Sequence, residues 1–322
     1  VTNIETLRPG VTRLECPMPR FASVNAWLIG DKSDQFILDT GMPGEPTRQV
    51  WVQAAELGHI GNVTEIVCTH MHRDHTGQAS PLMSQYGAAL NMSALEHQHI
   101  TWASSTSLER RNASAQNFLH MMGMDEPTRI KSKPIDYAML SPFPQNFNVL
   151  TDRQTLELAG RSWSVIIGGG HSSAGVSLLA EDNLIFLSGD QMLAGAGPHI
   201  TVWSETPDAD PLGAYFDYLD RLMPVPESCL VLPGHGSAFT GLAQQAQKLR
   251  MAHERRLQAL LEHLSQAATI QTMSETIFSP RAASRFSDLV PGMTLSLANY
   301  LWHRGKLTRR FSDDGVMLFE RA

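Results

Sequence analysis

The sequence predicts an α+β fold: two β-sheets with helices outside them, followed by a small helical C-terminal domain. Three patterns predict it. A meander of short apolar strands opens the chain, helix and strand then alternate, and the same order occurs a second time further along. After about residue 246 the strands give way to long amphipathic stretches.

The opening meander comprises Val11–Leu14, Val24–Ile29 and Phe36–Asp39, with a hairpin signal at Gly30-Asp31. A helix is expected over Thr47–Leu57. The buried-type strand Glu65-Ile66-Val67-Cys68 follows, and a second helix over Thr76–Tyr86. Residues 93–147 interrupt this rhythm and read as a helical insertion. Ser93-Ala94-Leu95-Glu96 and Thr106-Ser107-Leu108-Glu109 both fit the capping box, so two helices start there. Lys131 to Phe147 contains three prolines and reads as loop. Trp102, Met121, Met122 and Met124 either line a pocket or pack within this insertion.

Strands resume at Asn148–Leu150, Thr155–Leu158, Trp163–Ile167, Val176–Leu179 and Leu184–Leu187. The helix Leu212–Met223 then leads into the short strand Cys229–Leu232. Beyond Gly241, a stripe of Leu242, Ala246, Leu249, His253, Leu257, Leu260 and Leu264 marks one long helix, with His253 a packed or a pocket histidine. Helices over Thr269–Phe278 and Thr294–His303 precede a hairpin, Leu307–Phe311 and Val316–Phe319, turning at Asp313-Asp314-Gly315. Helices followed by a two-stranded hairpin suggest a winged-helix-like unit. The expected boundaries are 1–246 for the main domain and 247–322 for the C-terminal one.

Composition narrows the function classes. A hydrophobic fraction of 42% over 322 residues supports a sizeable core. No apolar run approaches the roughly 18–20 residues that span a bilayer, so no membrane role is expected. The first 30 residues suit neither a signal nor a transit peptide, and three scattered cysteines imply no disulfide framework. A cytoplasmic protein is the expectation. The net charge of −7 divides unevenly: residues 1–247 carry −11 and residues 248–322 carry +4. Such a tail either meets an anionic partner or docks on its own acidic body, and docking is the favoured reading.

The chemistry is concentrated in His70-Met71-His72-Arg73-Asp74-His75, which places four imidazole or carboxylate groups within six residues. These are ligands that borderline divalent metals accept readily. His70 and His72 are two apart and point to one side of an extended backbone, while Asp74 and His75 come as the loop turns. Three later strand ends each supply one further ligand type: Gly170-His171 after a glycine run, Ser188-Gly189-Asp190, and Pro233-Gly234-His235-Gly236. Cys68, two residues before His70, reads as a buried structural thiol.

The His-x-His-x-Asp-His motif, followed in order by the Gly-His, Gly-Asp and Pro-Gly-His positions, resembles the metallo-β-lactamase-fold hydrolases over about residues 11–240. The resemblance implies an αββα sandwich with the metal centre at the sheet edges. It implies that His70, His72 and His171 bind one ion and Asp74, His75 and His235 a second, with Asp190 bridging both. Asp39, in Asp39-Thr40-Gly41, matches the family's support for the ligand loop. The flanks of His171 depart from the common Thr-Pro-Gly-His-Thr-Pro-Gly stretch, since both prolines are absent.

The long form, with its insertion and winged-helix-like end, resembles glyoxalase II-like and β-lactamase-like hydrolases. The expected activity is hydrolysis of an ester or thioester by a metal-bound hydroxide, on a small-molecule substrate. Asp74 and Asp190 are the expected catalytic carboxylates. The cofactor expected is a pair of divalent ions, zinc first and iron or manganese as alternatives. A phosphodiesterase or ribonuclease is the second reading, prompted by Arg304, Lys306, Arg309 and Arg310 and opposed by the acidic body. A non-catalytic ligand or metal sensor is the third, and self-association is left open.

Overall fold

The structure, a computed structural model, describes residues 4–19 and 23–322. Strands β1 (Ile4–Arg8), β2 (Val11–Pro17), β3 (Ser23–Asp31) and β4 (Asp34–Leu38) form the opening meander. Helix α1 (Glu45–Glu56), strand β5 (Val63–Val67), helices α2 (Arg73–Thr76) and α3 (Ala79–Tyr86) and strand β6 (Ala89–Ser93) follow. The segment after β6 holds α4 (Ala94–Ser105), α5 (Leu108–Met121), α6 (Glu126–Lys131) and a short 3-10 turn at Ala138–Leu140, then reaches β7 (Asn148–Leu150). The second half runs β8 (Thr155–Leu158), β9 (Arg161–Gly168), β10 (Gly175–Ala180), β11 (Ile185–Gly189), α7 (Pro211–Leu222) and β12 (Leu230–Pro233). It closes with α8 (Leu242–His263), α9 (Ile270–Ile277), α10 (Pro280–Arg285), α11 (Val290–His303) and the pair β13 (Leu307–Phe311) and β14 (Met317–Arg321).

The strands assemble into a seven-stranded sheet in sequence order β1 to β7 and a five-stranded sheet ordered β12-β11-β10-β9-β8. Each sheet is antiparallel where hairpins connect it and parallel where helices cross over. In the first, β4, β5, β6 and β7 pair in parallel; in the second, β11 and β12 do. Residues 93–147 therefore form the crossover between the neighbouring parallel strands β6 and β7.

Alternation along the strands explains the layers. In β3, Trp27 and Ile29 join the core between the sheets, while Ala26 and Leu28 join the core under α1, α3 and α4. In β11, Ile185 and Leu187 face the inter-sheet core and Phe186 faces the opposite side. Both sheets are thus buried on two faces, giving the helix–sheet–sheet–helix order of an αββα sandwich.

The outer face of the second sheet is covered by more than α7. Leu249 and Leu260 of α8, and Leu297 and Leu301 of α11, share one core with Ile166, Phe186 and Val231. His253 lies in this layer, edge-on to Tyr215 and Phe216, and burial pushes its pKa down to about 4. It is a packed histidine. Met122 is buried in the same core with Met121 and Met124 packed against it, so these methionines fill rather than line.

Two of the tail's basic side chains are engaged by the acidic body, while Lys306 and Arg310 are exposed. Arg304 pairs with Asp210 at 2.6 Å and Arg309 with Asp208 at 2.8 Å, and their guanidiniums lie over Tyr300 and Trp302. Among the described residues no helix is long and apolar enough to cross a membrane.

Candidate metal centre

The parallel order of β4 and β5 brings two loops side by side at their C-terminal ends. The first presents Asp39, held at φ 58, a left-handed conformation that aspartate adopts more readily than most residues. Its fully buried carboxylate accepts from Thr69 N–H (2.8 Å), Thr69 Oγ1 (2.9 Å) and His75 Nδ1 (2.7 Å). Both ends of the ligand loop are therefore tied to one side chain. Asp74 and His75 stand on the single turn α2, where the sequence pattern suggested only a turning loop.

Ring orientations follow from the hydrogen bonds. Thr69 Oγ1 gives its one proton to Asp39, so it accepts from His70 Nδ1 at 2.9 Å. His171 Nδ1 donates to the His199 carbonyl (3.2 Å), His75 Nδ1 to Asp39, and His235 Nδ1 to the Ser23 carbonyl (2.8 Å). With Nδ1 protonated in all four, it is the Nε2 of each ring that points inward. His72 contributes Nδ1 instead. It lies 2.9 Å from His70 Nε2 and 3.1 Å from His171 Nε2.

The carboxylates complete two overlapping groups. Asp190 Oδ2 lies 3.4 Å from His171 Nε2 and 3.3 Å from His235 Nε2, while Oδ1 lies 3.5 Å from His75 Nε2. Asp74 Oδ2 is 3.4 Å from His235 Nε2 and 3.6 Å from His75 Nε2. Ligand atoms of His70, His72 and His171 all fall within 4.8 Å of one another, as do those of Asp74, His75 and His235, and of His70, His75 and Asp190. All seven residues singled out in the sequence thus converge on one site.

Electrostatics differ across it. Burial pushes His70, His72 and His171 down, which keeps these rings neutral and their lone pairs free. Burial opposes charge on His75 and His235 more than any one neighbour favours it, but the carboxylates together outweigh it: Asp190, Asp39 and Asp74 raise His75 well above its usual range, and Asp190 and Asp74 raise His235 to about 10. Burial would raise Asp190 and Asp74, yet His75 and His235 hold both carboxyls well below the usual carboxylate range. The field on this side favours a cation, whether proton or metal. His75 Nε2 and Asp190 Oδ1 are buried and have no hydrogen-bond partner, which is costly unless an ion satisfies them. The donor set fits divalent metal.

Glycines make the approach possible. A Cβ on Gly234 would overlap Asp190 Oδ1 and sit 2.7 Å from His75 Cε1, so only glycine lets the His235 loop close on the site. Gly189, at φ 51, would meet the Thr69 side chain 2.7–2.9 Å away.

Several supporting residues carry no signal of their own in the sequence. Asn25 Nδ2 donates to the carbonyls of Pro233 (2.9 Å) and Gly236 (2.8 Å), and Trp27 Nε1 to Pro233 (3.1 Å), which fixes the His235 loop. Gln191 Nε2 donates to the Gly168 carbonyl (2.6 Å) below His171. His199 lies against His171, with ring centres 4.5 Å apart. Trp203 stands 6.3 Å from His72. An alternating strand pattern marks Asn25 and Trp27 only as core positions.

Two solved structures share almost the whole fold. A beta-lactamase domain protein from Burkholderia ambifaria is 26% identical, with a TM-score of 0.85 over 99% of this chain and 94% of its own. A metallo-beta-lactamase family protein from Thermus thermophilus is 25% identical, with a TM-score of 0.78 over 98% and 100%. The family model for the metallo-beta-lactamase superfamily matches residues 19–235, about two thirds of the chain and all seven converging residues. The chain belongs to the metallo-beta-lactamase superfamily. A C-terminal helical region is added to the sandwich.

Two curated relatives agree with this at greater distance. Thioesterase pkgB from Emericella nidulans is 23% identical over 240 residues, covering 74% of this chain and 54% of its own. The probable metallo-hydrolase YybB from Bacillus subtilis is 35% identical over 72 residues, 22% of this chain and 31% of its own. The matches span about half and about a third of those relatives.

Proposed function

We propose that this superfamily member is a binuclear hydrolase of ester or thioester substrates. The observation that carries the reading is the convergence of the His70, His75, His171 and His235 nitrogens around the Asp190 carboxylate, with His72 beside His70 and His171 and with Asp74 beside His75 and His235. His70 Nε2, His72 Nδ1 and His171 Nε2 would hold one divalent ion. Asp74, His75 and His235 would hold the other, with Asp190 reaching both. Zinc suits this donor set, and iron and manganese accept the same ligands. When bound, such ions act as Lewis acids and bring the pKa of a coordinated water toward neutrality.

The chain's own residues do the rest. Asp39 holds His75 and Thr69 so that the ligand loop does not rearrange during turnover. Asp190 places negative charge between the two groups. Asp74, at the edge facing His235, is the carboxylate we assign to receive the proton of the attacking water. His199 and Trp203 wall the His72–His171 side and narrow access for bulk water. No serine or cysteine nucleophile is required, and Cys68 is fully buried with its Sγ directed at the His75 carbonyl.

The thioesterase named among the relatives supports acyl over phosphoryl substrates. Two of the four tail cations weigh the same way, because Arg304 and Arg309 are already engaged with Asp210 and Asp208. The test is metal analysis joined to a substrate panel. Purified protein should hold two ions per chain and turn over thioesters or lactones in preference to phosphodiesters. A single ion per chain, or full turnover by Asp190→Ala, would sink the binuclear reading.

A further inference from the structure

The α4 helix begins with a sequence that fits a capping box, Ser93 to Glu96, yet only half of that motif forms. Glu96 N–H donates to Ser93 Oγ at 3.4 Å. In a full capping box the glutamate side chain would turn back to the Ser93 N–H. Here it reaches the other way. Glu96 Oε2 accepts from the Met71 N–H at 2.9 Å and Oε1 from the Ala174 N–H at 2.7 Å. Met71 separates His70 from His72, and Ala174 is three residues beyond His171. Ser93 Oγ in turn donates to the Ala174 carbonyl at 2.8 Å. Ser93 and Glu96 therefore grip Ala174 by both its N–H and its C=O, while Glu96 also holds the peptide between two candidate ligands.

Glu96 is fully buried, and among the described residues no lysine or arginine pairs with it. A buried carboxyl group without a cationic partner is expensive unless both oxygens are used. Both are used, and both are spent on the backbone of the loops that carry His70, His72 and His171. Among the described residues, no other side chain outside the candidate ligands bonds to the backbone of both of these loops: Asp39 serves the first loop and Gln191 the second.

We propose that Glu96 is a positioning residue that sets the separation of the His70–His72 pair from His171, and so governs how firmly that histidine group holds its metal. The inference rests on the metal centre proposed above. It gives the segment between β6 and β7 a mechanical part in the site, through the first turn of α4.

Three full-length variants test it against wild type. Glu96→Gln preserves shape but places an amide NH2 against one of two N–H donors, so one bond is lost. Glu96→Ala removes both. His97→Gln is the control, since the neighbouring His97 is also buried but bonds only to the Pro144 carbonyl and stacks on Phe147. Each protein is loaded with zinc, and metal release to a chelator is timed. Cobalt-loaded samples report ligand geometry through their visible absorption. Glu96→Ala should hold its more labile ion about 10–100-fold less firmly, with a shifted cobalt band, and Glu96→Gln should fall between. His97→Gln should lower the thermal midpoint and leave metal release at the wild-type rate. Wild-type release from both Glu96 variants overturns the proposal, as does a His97→Gln variant that loses metal as fast as they do. If Glu96→Ala does not fold, Glu96→Gln decides alone. Wild-type protein that takes up no metal would instead defeat the reading of the centre itself.

Discussion

His75 Nδ1 donates to Asp39 Oδ2 at 2.7 Å across two loops that the parallel pairing of β4 and β5 sets side by side. The same carboxylate takes both the N–H and the hydroxyl of Thr69, so three donors on the ligand loop converge on one buried side chain. Asp39→Asn keeps the size and the tolerance for a positive φ, but one acceptor becomes a donor. The expected result is a metal affinity about 10–100-fold lower and a stability loss of roughly 1–3 kcal/mol. Chelator competition and thermal unfolding measured on the same sample check both numbers. A variant with unchanged affinity would leave Asp39 a role in folding alone.

The charge pattern makes a second prediction, concerning protons. In metal-free protein burial disfavours the charged His235, but Asp190 and Asp74 together raise it from its ordinary 6.5 to about 10. A histidine raised in the folded state contributes stability that is complete below pH 6.5 and is lost as pH climbs through 10. Asp74 and Asp190 have the opposite sense: their contribution is present above the ordinary carboxylate value of 3.8 and is lost as pH falls below it. The metal-free thermal midpoint should therefore fall between about pH 6.5 and 10, and His235→Ala should remove that part of the slope. Metal binding at about pH 7 should release protons from His75 and His235. Calorimetry in two buffers of different ionisation enthalpy reads that release, and equal heats in both would contradict the assigned charges.

How far the sequence discloses this site depends on distance along the chain. The seven converging residues stand at strand ends or in one six-residue motif, so local spacing reveals them. Glu96, Asn25 and Gln191 act through bonds to backbone groups elsewhere, 208 positions away between Asn25 and Pro233. Their types are ordinary for a helix start or a strand, and no local pattern separates them from capping or core residues. β6 escapes notice for a related reason: Ser93 ends the strand and caps α4 at once, leaving no turn residues between. The stripe of α8 is plain in the sequence, but an amphipathic face does not say what it will cover. Here it covers the second sheet together with α7 and α11.

Two glycines of the His235 loop should respond differently to the same change. Gly234→Ala forces a Cβ onto Asp190 Oδ1 and against His75, so the carboxylate must leave its place between the histidine groups. Activity should fall at least about 100-fold, with destabilisation of about 1–3 kcal/mol from overpacking. Gly236→Ala meets no atom within 4 Å and is disfavoured only by its φ of 78. It should cost about 1 kcal/mol and keep most of the activity. Matched kcat/KM and unfolding measurements separate the two, and equal losses would mean that backbone strain, rather than the Asp190 position, controls the site.

The C-terminal arginines give the last prediction. Arg309 lies over the Trp302 ring at 3.7 Å and pairs with Asp208, on the segment that also supplies His199 and Trp203. The guanidinium is mostly covered whereas Asp208 is largely exposed, so stacking should matter more than the ion pair. Arg309→Lys, which keeps the charge but loses the planar stack, should then destabilise nearly as much as Arg309→Ala, by about 1 kcal/mol. Asp208→Asn should cost less than either. Raising the salt concentration should scarcely change these differences, because a stacked contact is not screened as a surface ion pair is. If Arg309→Lys behaves like wild type and the effect of Arg309→Ala fades in salt, the ion pair is the stronger tie between the tail and the site-bearing segment.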